Sequence, residues 1–153
     1  MQCAAALLSK CYDSARMRPD SHMIERDLSI DTAGCQLSGT LCAPDRADSF
    51  PVVLMLHGSG PQDRDENMPG QTLDIFNTIA HHLAKHGVGS LRYDKRGCGK
   101  STGVYRTAGQ TELVSDAIAW VDRLASEPVC ERLFLLGHSE GCLIAPRVSL
   151  ERT

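Results

Sequence analysis

Five residues in the last part of the sequence, Gly137-His138-Ser139-Glu140-Gly141, match the pattern Gly-x-Ser-x-Gly. They follow the apolar run Leu133-Phe134-Leu135-Leu136 and precede apolar residues at helical spacing. A serine between a buried strand and a helix, with a glycine two residues to either side, is typical of a nucleophile elbow, in which a tight turn lifts the hydroxyl above the sheet. We therefore predict that Ser139 is a nucleophile and that Gly137 and Gly141 permit the turn.

A second glycine-rich loop, His57-Gly58-Ser59-Gly60-Pro61, follows another apolar run that ends at Leu56. Nucleophilic attack on a carbonyl places negative charge on its oxygen, and two backbone N–H groups must already point at that oxygen. We predict that Glu140, the residue after the serine, and Ser59 supply these two amides. His57 and Gly58 are expected to support the loop rather than to take part in the chemistry.

A third loop contains Gly99-Lys100-Ser101 and resembles part of a phosphate-binding loop. That motif requires a further glycine at position 94, where this sequence has Asp94. Apolar periodicity also does not resume until about Leu113. We therefore predict an ordered turn fixed by a network of charged residues, and not a nucleotide site.

The polar segment Gln62-Asp63-Arg64-Asp65-Glu66-Asn67 has two interpretations. It either contacts a substrate or forms a solvated loop held by Arg64. Its composition favours the solvated loop.

The elements that must position these loops alternate along the sequence. Apolar alternation and short apolar runs predict strands, and three- and four-residue spacing predicts helices. The predicted strands are Ile24–Asp31, Gln36–Cys42, 51–56, Val88–Tyr93 and Leu133–Leu136, and the predicted helices are Leu73–Ala84, Leu113–Ala125 and a last one from Cys142. This order predicts an α/β fold with three layers: a doubly wound, mostly parallel sheet that begins with an antiparallel hairpin. The carboxyl ends of such strands gather the functional residues.

Composition narrows the class of protein. The 153 residues carry a net charge of −3, so a nucleic-acid footprint is not expected, and 42% are apolar, which is ordinary for a globular protein. No apolar run approaches the roughly 20 residues that a membrane span needs, so none is expected. The seven cysteines include no Cys-x-x-Cys pair, which favours free thiols in the cytoplasm. A serine mechanism needs no metal, and we expect neither a metal nor a cofactor.

The first 22 residues differ from the rest. No basic residue precedes the short apolar stretch Ala4–Leu8, which argues against a signal peptide. We expect residues 1–22 to form a disordered extension, or to result from read-through upstream of a true start at Met23, and residues 23–153 to form the N-terminal part of a domain.

Taken together, the three loops resemble those of the α/β-hydrolases over roughly Ile24 to Leu150. The resemblance is to the first half of the bacterial esterase, serine-aminopeptidase-like and dienelactone-hydrolase-like branch. It implies a hydrolase of carboxylic esters or related acyl compounds, with Ser139 as nucleophile and the Ser59 and Glu140 amides as oxyanion donors.

The rest of a catalytic triad is not visible in the sequence. In this fold the acid and the histidine follow the serine, but no histidine follows Ser139. We therefore expect a truncated form whose Leu133–Leu136 strand is an exposed edge that favours self-association. The alternative is a non-catalytic remnant that acts as a binding or assembly module.

Overall fold

A computed structural model describes residues 23–45 and 47–152 of the chain. Within these residues, the strands are β1 (Met23–Thr32), β2 (Cys35–Pro44), β3 (Phe50–Leu56), β4 (Gly89–Tyr93) and β5 (Cys130–Gly137). The α-helices of the same residues are α1 (Ile75–Lys85), α2 (Gln110–Ala125) and α3 (Gly141–Glu151). The extension predicted for residues 1–22 lies outside the described part.

The strands form a mixed sheet in the order β1-β2-β4-β3-β5. β1 and β2 are joined by a tight turn at Gly34 and pair in antiparallel register, as the sequence predicted. β2 also runs antiparallel to β4. β3 is parallel to both of its neighbours, β4 and β5. The loops that follow β3, β4 and β5 therefore leave the same edge of the sheet side by side.

Helices cover both faces of the sheet and complete the predicted three layers. α1 packs on one face through Phe76, Ala80 and Ala84, against Cys42 and Met55. On the opposite face α2 and α3 enclose the larger core, which contains the buried Trp120. No helix in the described ranges is both long and apolar enough to cross a membrane.

Two details differ from the sequence prediction. Leu73 does not belong to α1 but precedes it and is 40% exposed. The Asn67 side chain accepts hydrogen bonds from the amides of Leu73 and Asp74, and Asp74 has a left-handed φ of 50°, so the helix does not extend back to Leu73. On α3, Cys142 and Leu143 face solvent, and the buried positions are Ile144 and Val148.

Candidate active site

Ser139 lies at a sharp turn between β5 and α3. Its φ angle is 49°, in the left-handed region that residues with a Cβ atom rarely adopt, and its side chain is exposed. The turn brings backbone atoms together so closely that side chains at the flanking positions are excluded. A Cβ on Gly137 would lie 2.5 Å from Gly141 C, and a Cβ on Gly141 would lie 2.1 Å from Leu56 O. The two glycines are therefore a steric requirement of the turn.

The loop after β3 lies directly beside this turn. Leu56, the last residue of β3, pairs with Gly137, and the His138 amide donates to Leu56 O at 2.9 Å. A Cβ on Gly58 would lie only 3.5 Å from the Cβ of Ser139. Parallel pairing of β3 with β5 thus places the two predicted loops in contact.

Three backbone amides at this junction have no acceptor among the residues that the structure describes. They belong to Ser59, Ser139 and Glu140. The amides of three nearby glycines are engaged: Gly58 N donates to Glu66, Gly60 N to the Tyr105 hydroxyl, and Gly141 N to His138 O. The free amides include the two that the sequence analysis assigned to an oxyanion.

His57 is enclosed beneath the loop. Its ring contacts Tyr93 edge-on, with centroids 4.8 Å apart, and Phe76 at 5.4 Å. Burial, assisted by the nearby Lys95 charge, lowers the pKa of His57 to about 3. The imidazole is therefore neutral, and its position gives it no access to a substrate.

His138 and Glu66 form a hydrogen-bonded pair that the sequence analysis did not anticipate. His138 Nδ1 lies 2.8 Å from Glu66 Oε1, and the same oxygen accepts the Gly58 amide at 2.8 Å. Glu66 is fully buried, and its backbone is left-handed with φ 64°. The expectation of a solvated loop over residues 62–67 is wrong at this position, because the carboxylate points into the junction of the two site loops.

Lys95, in the loop after β4, is a second residue that the sequence analysis did not single out. Its side chain is 2% exposed, and its Nζ donates to Gly58 O at 2.5 Å, Gly60 O at 3.1 Å and Glu140 Oε2 at 3.0 Å. The available signal was its position two residues after a buried strand, at the edge where the site loops gather.

Asp94 organises the loop after β4. It accepts two hydrogen bonds from the Arg64 side chain and one from the Lys100 amide. Burial alone would raise the pKa of Asp94, but these hydrogen bonds hold that pKa below its ordinary value. Since Asp94 occupies the Lys100 amide and the Lys100 ammonium binds the exposed Asp27, the loop has the charged network expected from the sequence.

None of the remaining described histidines belongs to these loops. His81 and His82 lie on α1, and His86 follows it directly. Of the histidines in the described ranges, only His138 is adjacent to Ser139 in the chain, and its Nδ1 is bonded to Glu66.

The fold also gathers three side chains of metal-ligating type, Glu25, Cys42 and His81, whose donor atoms lie within 4.8 Å of one another. Arg92 Nη2 donates to Glu25 Oε1 at 2.8 Å, and this guanidinium holds the pKa of Glu25 below its usual value despite the opposing effect of burial. Burial raises the pKa of the Cys42 thiol, which disfavours the thiolate that a metal requires. With a cation already beside it, the group is an ion-pair cluster.

A three-layer domain with a left-handed serine between β5 and α3, next to a glycine loop after a parallel strand, defines an α/β-hydrolase. The chain belongs to the serine aminopeptidase S33 family, whose sequence profile matches residues 69–153. The resemblance found in the sequence is thereby confirmed.

Individual relatives agree with this assignment. The chain is 31% identical over 125 residues to esterase EstD of Thermotoga maritima, an alignment that covers 82% of this chain and 29% of EstD. Its fold is similar to that of Est1E from Butyrivibrio proteoclasticus, solved with ferulic acid, with a TM-score of 0.69 and 24% identity, covering 82% of this chain and 48% of Est1E. A cold-adapted esterase from an Arctic intertidal metagenomic library gives a TM-score of 0.65 at 21% identity, covering 85% of this chain and 56% of that one. The chain thus spans less than a third of EstD and about half of the two solved structures.

Proposed function

We propose that this chain carries the nucleophile and the oxyanion hole of a serine hydrolase that acts on carboxylic esters of small molecules. The family supplies the reaction class, and the similarity to EstD favours esters over amides. The observation that carries the proposal is the left-handed, exposed Ser139 beside the unpaired amides of Ser59 and Glu140.

In this mechanism the Ser139 oxygen attacks the ester carbonyl carbon, and the carbonyl electron pair moves onto oxygen. The Ser59 and Glu140 amides donate hydrogen bonds to that oxyanion. Collapse of the intermediate expels the alcohol, which takes up a proton, and leaves an acyl group on Ser139. Water then releases the carboxylic acid and restores the hydroxyl.

A base must remove the serine proton, because a neutral hydroxyl is a weak nucleophile. We assign this base, a histidine with its acidic partner, to a part of the whole protein outside these 153 residues. The coverage of 29% of EstD supports this assignment. The position of β5 at the edge of the sheet in the described residues fits the same proposal, and it favours self-association of the chain when it is isolated.

The cysteines support a reducing compartment, and we propose the cytoplasm. The described part of the chain contains Cys35, Cys42, Cys98, Cys130 and Cys142, all of which are free thiols.

The test compares hydrolysis of p-nitrophenyl acetate by the whole protein, its Ser139→Ala variant and a Ser149→Ala control on the exposed face of α3. Loss of the nucleophile should lower kcat by about 10³-fold or more, whereas the control should keep the unmodified rate. Equal turnover by Ser139→Ala would overturn the proposal. A folded protein without turnover would instead favour a binding or assembly module.

A further inference from the structure

The buried ammonium of Lys95 has no role in the mechanism above, although it is the best-connected charge at the site. Three loops meet at it: the loop after β3 through Gly58 O and Gly60 O, the elbow through Glu140 Oε2, and its own loop after β4. The ring of Tyr105 lies 5.4 Å away on another side. With a 2% exposed side chain, Lys95 does not reach a substrate, so any effect on catalysis must act through the groups it holds.

The contact with Gly58 O sets the direction of a neighbouring amide. Gly58 C=O and Ser59 N–H belong to one planar peptide group, and in a trans peptide they point in opposite directions. The described residues contain no cis peptide bond. Because Lys95 holds the oxygen inward, the Ser59 N–H must point outward, where it has no acceptor among the described residues.

The contact with Glu140 anchors the side chain of the residue that carries the second amide. The Glu140 carboxylate binds Lys95 at 3.0 Å, while its residue forms the turn between Ser139 and the first residue of α3. Ion pairs of this length that are sheltered from water hold their partners more firmly than exposed pairs do. One ammonium therefore connects the Gly58–Ser59 peptide group with Glu140, the two places that carry the amides assigned to the oxyanion.

Glu66, whose charge is opposite to that of Lys95, also connects the two loops at this junction. It accepts the Gly58 amide and the His138 ring, whereas Lys95 binds the Gly58 carbonyl and the Glu140 carboxylate. Both polar groups of Gly58 are thus bound, and each bridge connects the loop after β3 to the elbow.

We propose that Lys95 is a positioning residue that orients the Ser59 and Glu140 amides toward a shared oxyanion through its contacts with Gly58 O and the Glu140 carboxylate. This inference rests on the proposed function. It assigns to Lys95 a role in transition-state stabilisation that is exerted without contact to the substrate.

The test uses Lys95→Met, which keeps the length of the side chain and removes its donors, with Lys100→Met as a matched control. Lys100 lies in the same loop but is exposed and binds only Asp27 through its ammonium. In the whole protein, Lys95→Met should lower kcat for p-nitrophenyl acetate by about one to two orders of magnitude, with KM within about threefold, because the ester carries little charge before attack. Lys100→Met should change neither constant.

Amide hydrogen exchange of the peptide spanning Gly58–Gly60 supplies a second readout that needs no turnover. We expect faster exchange there in Lys95→Met and unmodified exchange in Lys100→Met, because Lys95 holds the carbonyls of the same two glycines whose amides are protected. If circular dichroism shows that Lys95→Met does not fold, Glu140→Gln replaces it. This variant keeps a hydrogen-bond acceptor for Lys95 but removes the negative charge, and it should lower kcat less than the loss expected for Lys95→Met.

The outcomes separate the two proposals. An unmodified kcat in the folded variant, with turnover still dependent on Ser139, would overturn the role of Lys95 and leave the proposed function standing. If turnover in the unmodified protein does not depend on Ser139, the proposed function fails. The role assigned to Lys95 then fails with it, whatever the exchange data show, because no oxyanion forms at Ser139.

Discussion

At the scale of single residues, the distinctive feature of Ser139 is its left-handed backbone conformation. A residue with a Cβ atom loses about 1 kcal/mol in the left-handed conformation, and such conformations persist where the surrounding structure enforces them. Here a Cβ added at Gly141 would lie 2.1 Å from Leu56 O, so the turn around Ser139 is packed tightly against the end of β3. The backbone conformation that exposes the Ser139 hydroxyl therefore lowers the stability of the folded state.

Glycine at position 139 should recover that stability. We expect Ser139→Gly to raise the free energy of unfolding by about 1 kcal/mol, because glycine adopts positive φ without steric cost. Ser149→Gly, in the interior of α3, should lower it by about 0.5 kcal/mol through the poor helix propensity of glycine. Urea unfolding at pH 7 measures both. A decrease for Ser139→Gly would contradict the strain assigned to this turn.

The residue scale also shows which parts of the site are visible in a sequence. The Gly-x-Ser-x-Gly pattern is local, so its steric requirement can be read directly from five consecutive residues. Glu66 and Lys95 belong to no such local pattern, because the groups that they bind lie in other loops. A charge in a polar loop is usually solvated, and only the assembled fold shows that these two are buried.

At the scale of elements, β3 determines how the site is assembled. Its two parallel neighbours, β4 and β5, place their following loops on either side of the loop that follows β3. Periodicity predicted all five described strands and their order along the chain, because burial on one or both faces dictates apolar patterns. The order across the sheet requires pairing between distant segments. Helix limits were less certain: Leu73 continues the apolar spacing of α1, yet Asn67 holds it outside the helix.

The two edges of the described sheet differ in chemistry. β1 carries Glu25, Arg26 and Asp27, and such charges protect an edge, whereas β5 ends in an apolar run around Phe134. We expect the isolated 153-residue chain to self-associate through β5, and Phe134→Lys to reduce this association. Ile24→Lys on β1 is the control and should leave association unmodified. Light scattering over a concentration series measures the self-association of each chain. A monodisperse monomer of the unmodified chain would refute the expectation.

At the scale of the whole molecule, the buried His57 links folding to pH. Its pKa is lowered to about 3 in the folded state by burial and the Lys95 charge, against about 6.5 in the unfolded chain. Between these values the unfolded state binds more protons than the folded state. Stability contributed by the neutral imidazole is therefore complete above pH 6.5 and is lost progressively as the pH falls toward 3.

Replacing the imidazole with a ring that does not titrate should remove this dependence. For the unmodified protein, His57 should reduce the free energy of unfolding by about 2 kcal/mol between pH 7 and pH 5. In His57→Phe, which keeps an aromatic ring against Phe76 and Tyr93, that part of the decrease should disappear. Exposed His82 provides the control: His82→Gln should follow the unmodified curve. Parallel curves for His57→Phe and the unmodified protein would show that His57 is not the linked group.

The central position of β3 has a consequence for the order in which the molecule assembles during synthesis. β1 and β2 can pair as soon as their short turn has left the ribosome, but β3 is flanked by two strands that are both translated later. Pairing between strands that are far apart in the sequence is slow, because the loop-closure entropy is lost before the contacts that compensate for it have formed. The Ser59 amide consequently receives its final direction only after Lys95 and then the elbow have emerged, which makes the proposed oxyanion hole one of the last parts of the described fold to form.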